Sequence, residues 1–165
     1  MSEQTDRYET TVSTPSDTEV RTERIFDAPR DLVWECYIDP DLLSEWLGPR
    51  SLKMRIEEYD VREGGSYRYV HSDDEGNEYV FFGEFLEIRE PEFIVQTFNF
   101  VMEPPIPPAI DRSDFEDLGD GRTRIVTTSK FESKDLRDGM IQSGMETGVV
   151  EGYAQLDELL ERRQA

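Results

Sequence analysis

The sequence predicts a single α+β domain, in which an antiparallel sheet of about seven strands packs against a long C-terminal helix. Its 165 residues are enough for one hydrophobic core but not for two. Strand-like segments separated by turn residues fill the middle of the chain, and after Gly48 no connection is long enough for the crossover helix that parallel strands need. Residues 133–163 lack proline and repeat apolar residues every three or four positions, as in an amphipathic helix.

The chain is expected to begin with a tail, followed by one strand and two short helices. Residues 1–17 are rich in Ser, Thr, Glu and Asp, so they are predicted to be disordered or loosely attached, and residues 18–163 to form the domain. Residues 19–26 alternate as a half-buried strand does. In the helices that follow, Pro29 suits the first turn of one and Asp39 can cap the other.

The middle of the chain alternates between strand segments and turns. Glu63-Gly64-Gly65 and Leu118-Gly119-Asp120-Gly121 have turn composition, the second being suited to a hairpin. Four prolines between residues 103 and 108 cannot donate hydrogen bonds to a ladder, so a loop or a sheet edge is expected there. The predicted strands are 52–61, 67–71, 79–88, 93–101, 110–117 and 122–131.

The C-terminal helix carries an apolar stripe and, beside it, a row of glycines. Each interior glycine should cost about 1 kcal/mol relative to alanine, so the row needs a compensating reason. Charged residues along the same helix argue against a glycine seam in a membrane. We therefore expect either a close approach to the sheet or open space above it. The stripe is Ile141, Met145, Val149, Tyr153, Leu156 and Leu160, and the glycines are Gly144, Gly148 and Gly152.

The charge of the chain excludes several classes of partner. With 38 acidic and 18 basic side chains the formal charge is −20, which argues against binding to nucleic acid or to an anionic membrane. No apolar run is long enough to span a bilayer, so a cytoplasmic protein is expected. Acidic excess with only three lysines is typical of proteins from salt-accumulating archaea, in which molar salt screens the repulsion; an acidic protein from a mesophile is the alternative.

The single cysteine and the single histidine limit the available chemistry. Cys36 cannot form an internal disulfide and is expected in the core, on an apolar helix face. His71 is either a general base at a cavity mouth or a strand-end residue beside the acidic pair Asp73 and Asp74; the second interpretation is preferred. No metal or cofactor site and no catalytic residue is predicted.

Aromatic strands facing a glycine-rich helix predict an apolar cavity between them. Small-molecule sites are typically apolar with a few polar groups, and methionine adapts to varied ligand shapes. Arg24 shares a strand face with Phe26; if it is interior it needs a carboxylate partner, for which Glu84 and Glu87 are candidates, and it then serves either a structural ion pair or ligand orientation. The candidate binding residues are Trp46, Tyr67, Tyr69, Phe82, Phe98, Phe100, Met140, Gly144, Met145 and Arg24.

A series of short motifs, in order along the chain, also resembles a known family. They include RIFDAP at 24–29, LVW at 32–34, LSEWLGP at 43–49, DVREGGSY at 60–67, GEFLEI at 83–88, GRTR at 121–124, RDGM at 137–140, SGM at 143–145 and LDELL at 156–160. Together they cover about residues 18–162 and resemble the Aha1-like (AHSA1) members of the SRPBCC superfamily, whose folds are START- or Bet v 1-like.

The resemblance implies a helix-grip fold, with a curved antiparallel sheet around a long C-terminal helix, two short helices between the first two strands, and an internal cavity. The aromatic strands opposite the glycine-rich helix favour a noncatalytic protein that binds an apolar or amphipathic small molecule in that cavity. A monomer or a homodimer is expected. Two alternatives come with the superfamily. One is a cochaperone that activates an Hsp90-type ATPase, and the other is an enzyme similar to polyketide cyclases, working by acid–base chemistry.

Overall fold

A computed structural model describes residues 9–165 of the chain. Within this range the strands are β1 (Thr11–Ser16), β2 (Glu19–Phe26), β3 (Lys53–Tyr59), β4 (Ser66–Ser72), β5 (Glu78–Arg89), β6 (Phe93–Phe100), β7 (Ala109–Gly119) and β8 (Arg122–Lys130). The helices are α1 (Arg30–Ile38), α2 (Pro40–Leu43), α3 (Lys134–Gln142) and α4 (Met145–Gln164). Every strand predicted from the sequence is present, with ends within two residues of those expected.

The strands form one curved antiparallel sheet in the order β1-β2-β8-β7-β6-β5-β4-β3. Consecutive strands from β3 to β8 are neighbours, as a meander requires, and β2 joins the sheet beside β8. The pairing of β2 with β8 is unbroken from Glu19 opposite Lys130 to Phe26 opposite Thr123. Helices α1 and α2 lie between β2 and β3 in the chain, and the C-terminal helix follows β8. The predicted helix-grip architecture is confirmed.

The sheet begins earlier than the sequence predicts. Residues Thr11–Ser16 pair with β2 as an edge strand, Val12 lying opposite Thr22, so the sheet has eight strands rather than about seven. This segment is almost entirely exposed and polar, and therefore lacks the alternation that marks a half-buried strand. Only its ladder with β2 reveals it. Residues 1–8 of the predicted tail lie outside the described residues.

The predicted single helix over residues 133–163 is wrong, because two helices occupy this segment. The helix is interrupted at Gly144, whose φ of 91° is a left-handed conformation that residues with a Cβ rarely adopt. Ser133 does cap the first of the two, α3, since its hydroxyl accepts a hydrogen bond from the Leu136 amide at 3.2 Å. Ile141 of the predicted apolar stripe precedes the break and is exposed.

Helix α4 lies on the inner face of the sheet, the face that carries Phe26 and Phe115. The ring of its Tyr153 meets that of Phe26 edge-on, with the centroids 5.2 Å apart. From α1, Trp34 makes a similar contact with Phe115 at 4.9 Å. The main hydrophobic core forms where these helices meet the sheet, and it includes the buried side chains Trp46, Ile125, Leu156 and Leu160.

The glycines of the C-terminal segment differ in purpose, and none approaches the sheet. A Cβ on Gly152 would lie 3.3 Å from the carbonyl oxygen of Trp46 and 3.3 Å from the amide nitrogen of Gly48, so this glycine lets α4 approach the segment after α2. A Cβ on Gly148 would only touch Pro49, at 3.7 Å. Gly144 ends the preceding helix. Gly152 therefore does allow a close approach, but to the loop after α2 and not, as the sequence predicts, to the sheet.

Candidate functional site

A band of polar side chains crosses the inner face of the sheet. In an antiparallel pair, residues directly opposite each other point to the same face. Gln96 lies opposite the inward-facing Phe85, Asp111 opposite Gln96, and Ser129 opposite Asp111. In the adjacent row Ser113 lies opposite Thr127, and their hydroxyls are 3.0 Å apart. We call these residues the polar band: Gln96, Asp111, Ser113, Thr127 and Ser129.

The polar band interrupts the apolar packing of the inner face. Two residues along β7 from the band, Phe115 belongs to the main core on one side, and Ala109 belongs to a second cluster on the other. In that second cluster Met140 and Met145 of the helices pack near Val20 and Ala109 of the sheet. All five members of the band remain partly exposed, although they point toward the helices. Solvent therefore reaches this part of the inner face, unlike the main core on either side of Phe115.

Asp111 is the ionisable member of the polar band, and its environment is unusual for a carboxylate. Burial raises the pKa of Asp111 to about 6, and a hydrogen bond from the Ser129 side chain offsets part of that effect. Its Oδ1 atom is inaccessible to solvent, and no group of residues 9–165 donates a hydrogen bond to it. A buried acceptor without a donor is costly, and Asp111 is the member of the band that holds such an atom.

Next to the polar band lies a continuous surface of aromatic rings. Ring centroids are 6.0 Å apart between Tyr67 and Tyr69, 5.4 Å between Tyr69 and Phe81, and 5.6 Å between Phe81 and Phe98. Phe100 extends this surface from Phe81, at 6.3 Å. Phe81, Phe98 and Phe100 are partly exposed, whereas both tyrosines are buried. We call these five residues the aromatic wall.

Tyr67 connects the aromatic wall to the polar band. Its hydroxyl donates a hydrogen bond to the Thr97 carbonyl oxygen at 2.5 Å, and its side chain is also hydrogen-bonded with Gln96. The ring crosses over Gly83, where a Cβ would lie 2.7 Å from the tyrosine hydroxyl and 2.1 Å from the Thr97 carbonyl. Gly83 therefore has to be a glycine for Tyr67 to reach this position.

The structure brings together four of the predicted site residues, Tyr67, Tyr69, Phe98 and Phe100, on the aromatic wall. It places Met140 and Met145 in the second apolar cluster, beyond the polar band. Trp46 lies instead in the main core, where its indole N–H donates to the Cys36 carbonyl at 3.0 Å.

Two further predicted placements, those of Phe82 and Gly144, and the predicted ion-pair partner of Arg24 are wrong. Phe82 pairs with Arg68 on the outer face of the sheet, and its neighbour Phe81 occupies the inner position. Two consecutive phenylalanines leave the inward one undecided until the strand register is known. Arg24 is buried on the inner face as expected, but its ion pair is with Asp157 of α4, neither Glu84 nor Glu87. Gly144 is exposed at the break between α3 and α4 and has no role as cavity lining that the structure shows.

His71 and Cys36 are packing residues. His71 is 4% exposed and lies between the rings of Tyr69 and Phe81, at 5.3 and 5.4 Å. Burial lowers the pKa of His71, so the ring is neutral at neutral pH. Cys36 is fully buried in the main core, and burial raises the pKa of its thiol to about 11, which makes it a poor nucleophile.

Sequence reasoning did not single out Asp111, although one signal pointed to it. Counting back in steps of two from the apolar Phe115 places Ser113 and Asp111 on the same face of the strand. The segment has no apolar alternation of its own, and Ile110, directly before Asp111, is 45% exposed on the outer face. The pairing with Gln96 and Ser129 is what reveals the band.

The comparison with known proteins agrees with the fold. A family model described as "Activator of Hsp90 ATPase homolog 1-like protein" (AHSA1) matches residues 27–161. The chain belongs to this family. No curated protein matches the chain. Among the described residues no helix is long and apolar enough to cross a membrane, and no group of His, Cys, Asp and Glu side chains could hold a metal ion.

Solved structures show the same fold as this AHSA1 family member. Protein Ms6760 from Mycobacterium smegmatis is 26% identical, with a TM-score of 0.83 over 92% of this chain and 97% of that one. A protein from Rhodobacter sphaeroides is 22% identical, with a TM-score of 0.86 over 93% and 99% of the two chains. An AHSA1 protein from Silicibacter pomeroyi is 18% identical, with a TM-score of 0.73 over 88% and 99%.

Proposed function

We propose that this protein binds an amphipathic small molecule between the sheet and the helices α3 and α4. The apolar part of the ligand lies against the aromatic wall, and its polar part faces the polar band. The observation that carries this proposal is the partly exposed polar band on the inner face, between the main core and the second apolar cluster. An interior that served stability alone would be filled with apolar side chains.

The lining has the composition of a small-molecule site. Such sites are mostly apolar and contain a few polar groups that orient the ligand. Here Phe81, Phe98 and Phe100 supply partly exposed rings, and Met140 and Met145 supply flexible apolar side chains on the helix side. Buried aromatic surface stabilises a complex by about 25 cal/mol per Å², so these rings are the main source of affinity.

The experiment is a ligand screen with matched variants on the two faces of the sheet. Lipids, polyketides and flavonoid-like compounds are tested by native mass spectrometry and by thermal shift. For a compound that binds, Phe98→Ala on the inner face should weaken binding about tenfold or more, whereas Phe82→Ala on the outer face should change it less than about twofold. Equal effects of the two variants would contradict binding on the inner face, and circular dichroism checks that both are folded.

An acid–base enzyme is a second candidate, and Asp111 favours it. A carboxyl group with a pKa of about 6 can both accept and donate a proton near neutral pH. It is set in a partly exposed interior band, as a catalytic carboxylate would be. Turnover of polyketide-like substrates that is lost in Asp111→Asn would support this function, and turnover unchanged by that variant would exclude Asp111 as the acid or base.

We also propose that the protein works at high salt. With a net charge of −20, repulsion among surface carboxylates destabilises the fold in dilute buffer, and molar salt reduces the screening length to about 3 Å. The free energy of unfolding should therefore rise between 0.1 M and 2 M KCl. Binding should be measured at both 0.1 M and 2 M KCl, because a ligand site would go undetected if the protein were partly unfolded at low salt.

A further inference from the structure

We propose that the ligand is an organic cation, whose ammonium group pairs with the carboxylate of Asp111 while its carbon skeleton lies on the aromatic wall. This inference rests on the proposed function and specifies the class of molecule that the inner face selects. It assigns the polar group of the ligand from three features of the site: an uncompensated carboxylate, the rings beside it, and the charge of the surrounding protein.

The carboxylate of Asp111 has one partner where it could have several. An ionised carboxylate offers about four acceptor positions. The Ser129 side chain is hydrogen-bonded to it, while Oδ1 has no donor among residues 9–165. Rotation about the Cβ–Cγ bond can present either oxygen to a ligand and leave the other with the serine.

Within residues 9–165 no basic side chain is paired with Asp111, and the buried Arg24 of the inner face is engaged elsewhere. The guanidinium of Arg24 donates to both carboxylate oxygens of Asp157 and to the Ile25 carbonyl, with the Nη1 distances being 3.1 and 2.9 Å. The groups that interact with Asp111 electrostatically include Tyr67 and Tyr69, and burial raises the pKa of both, so they are neutral. A positive ligand group would supply the missing counter-charge.

The aromatic wall is placed to share that cation. Phe98 lies opposite Ala109, which is two residues before Asp111 on the same face of β7. Phe98 and Asp111 are thus diagonal neighbours on the adjacent strands β6 and β7. Such neighbours are about 7–8 Å apart, a distance that one ammonium group with its first carbons can bridge. Aromatic faces attract ammonium groups, and the attraction adds to the ion pair when both are shielded from water.

The protein as a whole favours a cation over an anion at this position. A formal charge of −20 attracts cations and repels anions over long distances in dilute buffer. An anionic headgroup such as a fatty-acid carboxylate would meet Asp111, beside which the described part of the chain places no compensating cation. A neutral hydroxyl could donate a hydrogen bond but would leave the charge uncompensated. The ammonium class satisfies both the hydrogen-bonding and the charge requirement.

The test compares two probes that share a carbon skeleton, 4-phenylbutylamine and 4-phenylbutanol. Their dissociation constants are measured by isothermal titration calorimetry at pH 7.5 in 2 M KCl, which screens attraction to the general surface charge. We expect the amine to bind wild-type protein about tenfold more tightly than the alcohol. In Asp111→Asn this preference should fall below about twofold. In the charge-matched control Glu116→Gln, an exposed residue on the outer face of the same strand, it should persist.

The outcomes separate this inference from the proposed function. Equal binding of the two probes to wild-type protein, or a preference that survives Asp111→Asn, overturns the organic-cation assignment. If in that case the alcohol still binds and Phe98→Ala weakens it, the amphipathic ligand site stands without the cation. If neither probe binds at millimolar concentration, both proposals fall. The wild-type comparison tests the preference without any variant, and circular dichroism checks that Asp111→Asn is folded before its binding is compared.

Discussion

Asp111→Asn is expected to stabilise the protein at neutral pH, although it removes a charged residue from the interior. The substitution keeps the size and shape of the side chain and retains an oxygen that can accept a hydrogen bond from Ser129. What it removes is the negative charge that burial disfavours. Residues retained for binding often reduce stability, and the buried carboxylate of Asp111 is expected to do so.

The magnitude follows from the shift in the pKa of Asp111. Burial raises it from the ordinary value of 3.8 to about 6 in the folded protein. Because the folded state holds the proton more tightly, stability falls as the pH rises from about 4 to about 6 and stays lower above that range. A shift of about two pKa units corresponds to about 3 kcal/mol. Asp111→Asn should recover about 2–3 kcal/mol at pH 7.5 and almost nothing at pH 3.5, where the carboxyl is protonated in the folded state and mostly protonated in the unfolded state.

The assay is urea unfolding of wild-type protein, Asp111→Asn and Glu116→Gln at several pH values in 2 M KCl. Comparing two variants that each remove one negative charge separates the buried site from the general relief of surface repulsion. Glu116→Gln should change the free energy of unfolding by less than about 0.5 kcal/mol at every pH. The reasoning is refuted if Asp111→Asn is less stable than wild type at pH 7.5, or if its gain does not depend on pH.

Three further predictions test how the helices and the aromatic wall are held. Gly148→Ala should stabilise α4 by up to about 1 kcal/mol. Gly152→Ala should be at least about 1 kcal/mol less stable than Gly148→Ala, because its Cβ meets backbone atoms at 3.3 Å. Equal free energies of unfolding of the two variants, measured by chemical denaturation, would contradict this. Arg24→Met should lower the free energy of unfolding by about 3 kcal/mol, because Asp157 is left without its cation. The double variant Arg24→Met/Asp157→Leu should recover most of that loss. If the losses of the two single substitutions add instead, the two residues are not energetically coupled. Gly83→Ala should displace Tyr67 and cost about 2 kcal/mol or more, and an unchanged unfolding midpoint would rule out the close contact.

The features of the fold that the sequence predicts are those with local causes. The alternation in residues 19–26, the cap at Ser133 and the hairpin turn at 118–121 each depend on residues a few positions apart, and each is present. The edge strand β1 and the helix break at Gly144 escape prediction. A polar edge strand is stabilised by its ladder with β2, and a glycine within an apolar period is indistinguishable from a helical one until its φ is known.

The candidate site shows the same division between local and long-range information. The aromatic residues of the wall stand out in the sequence, and only the choice between Phe81 and Phe82 needed the strand register. Asp111 is one of 38 acidic residues, most of them solvated, and its own segment does not mark it as interior. Its position depends on pairing with Gln96 on one side and Ser129 on the other, residues 15 and 18 positions away. Such pairings are a property of the whole sheet.

The most direct measurement is a high-resolution crystal structure of the full chain, purified without detergent and grown at molar salt. Between the polar band and the helices α3 and α4 we expect ordered water or a copurified molecule, with a hydrogen-bond donor within about 3.2 Å of a carboxylate oxygen of Asp111. An interior filled by protein side chains, with Asp111 paired to a basic residue of the protein itself, would contradict both the cavity and its role in ligand binding.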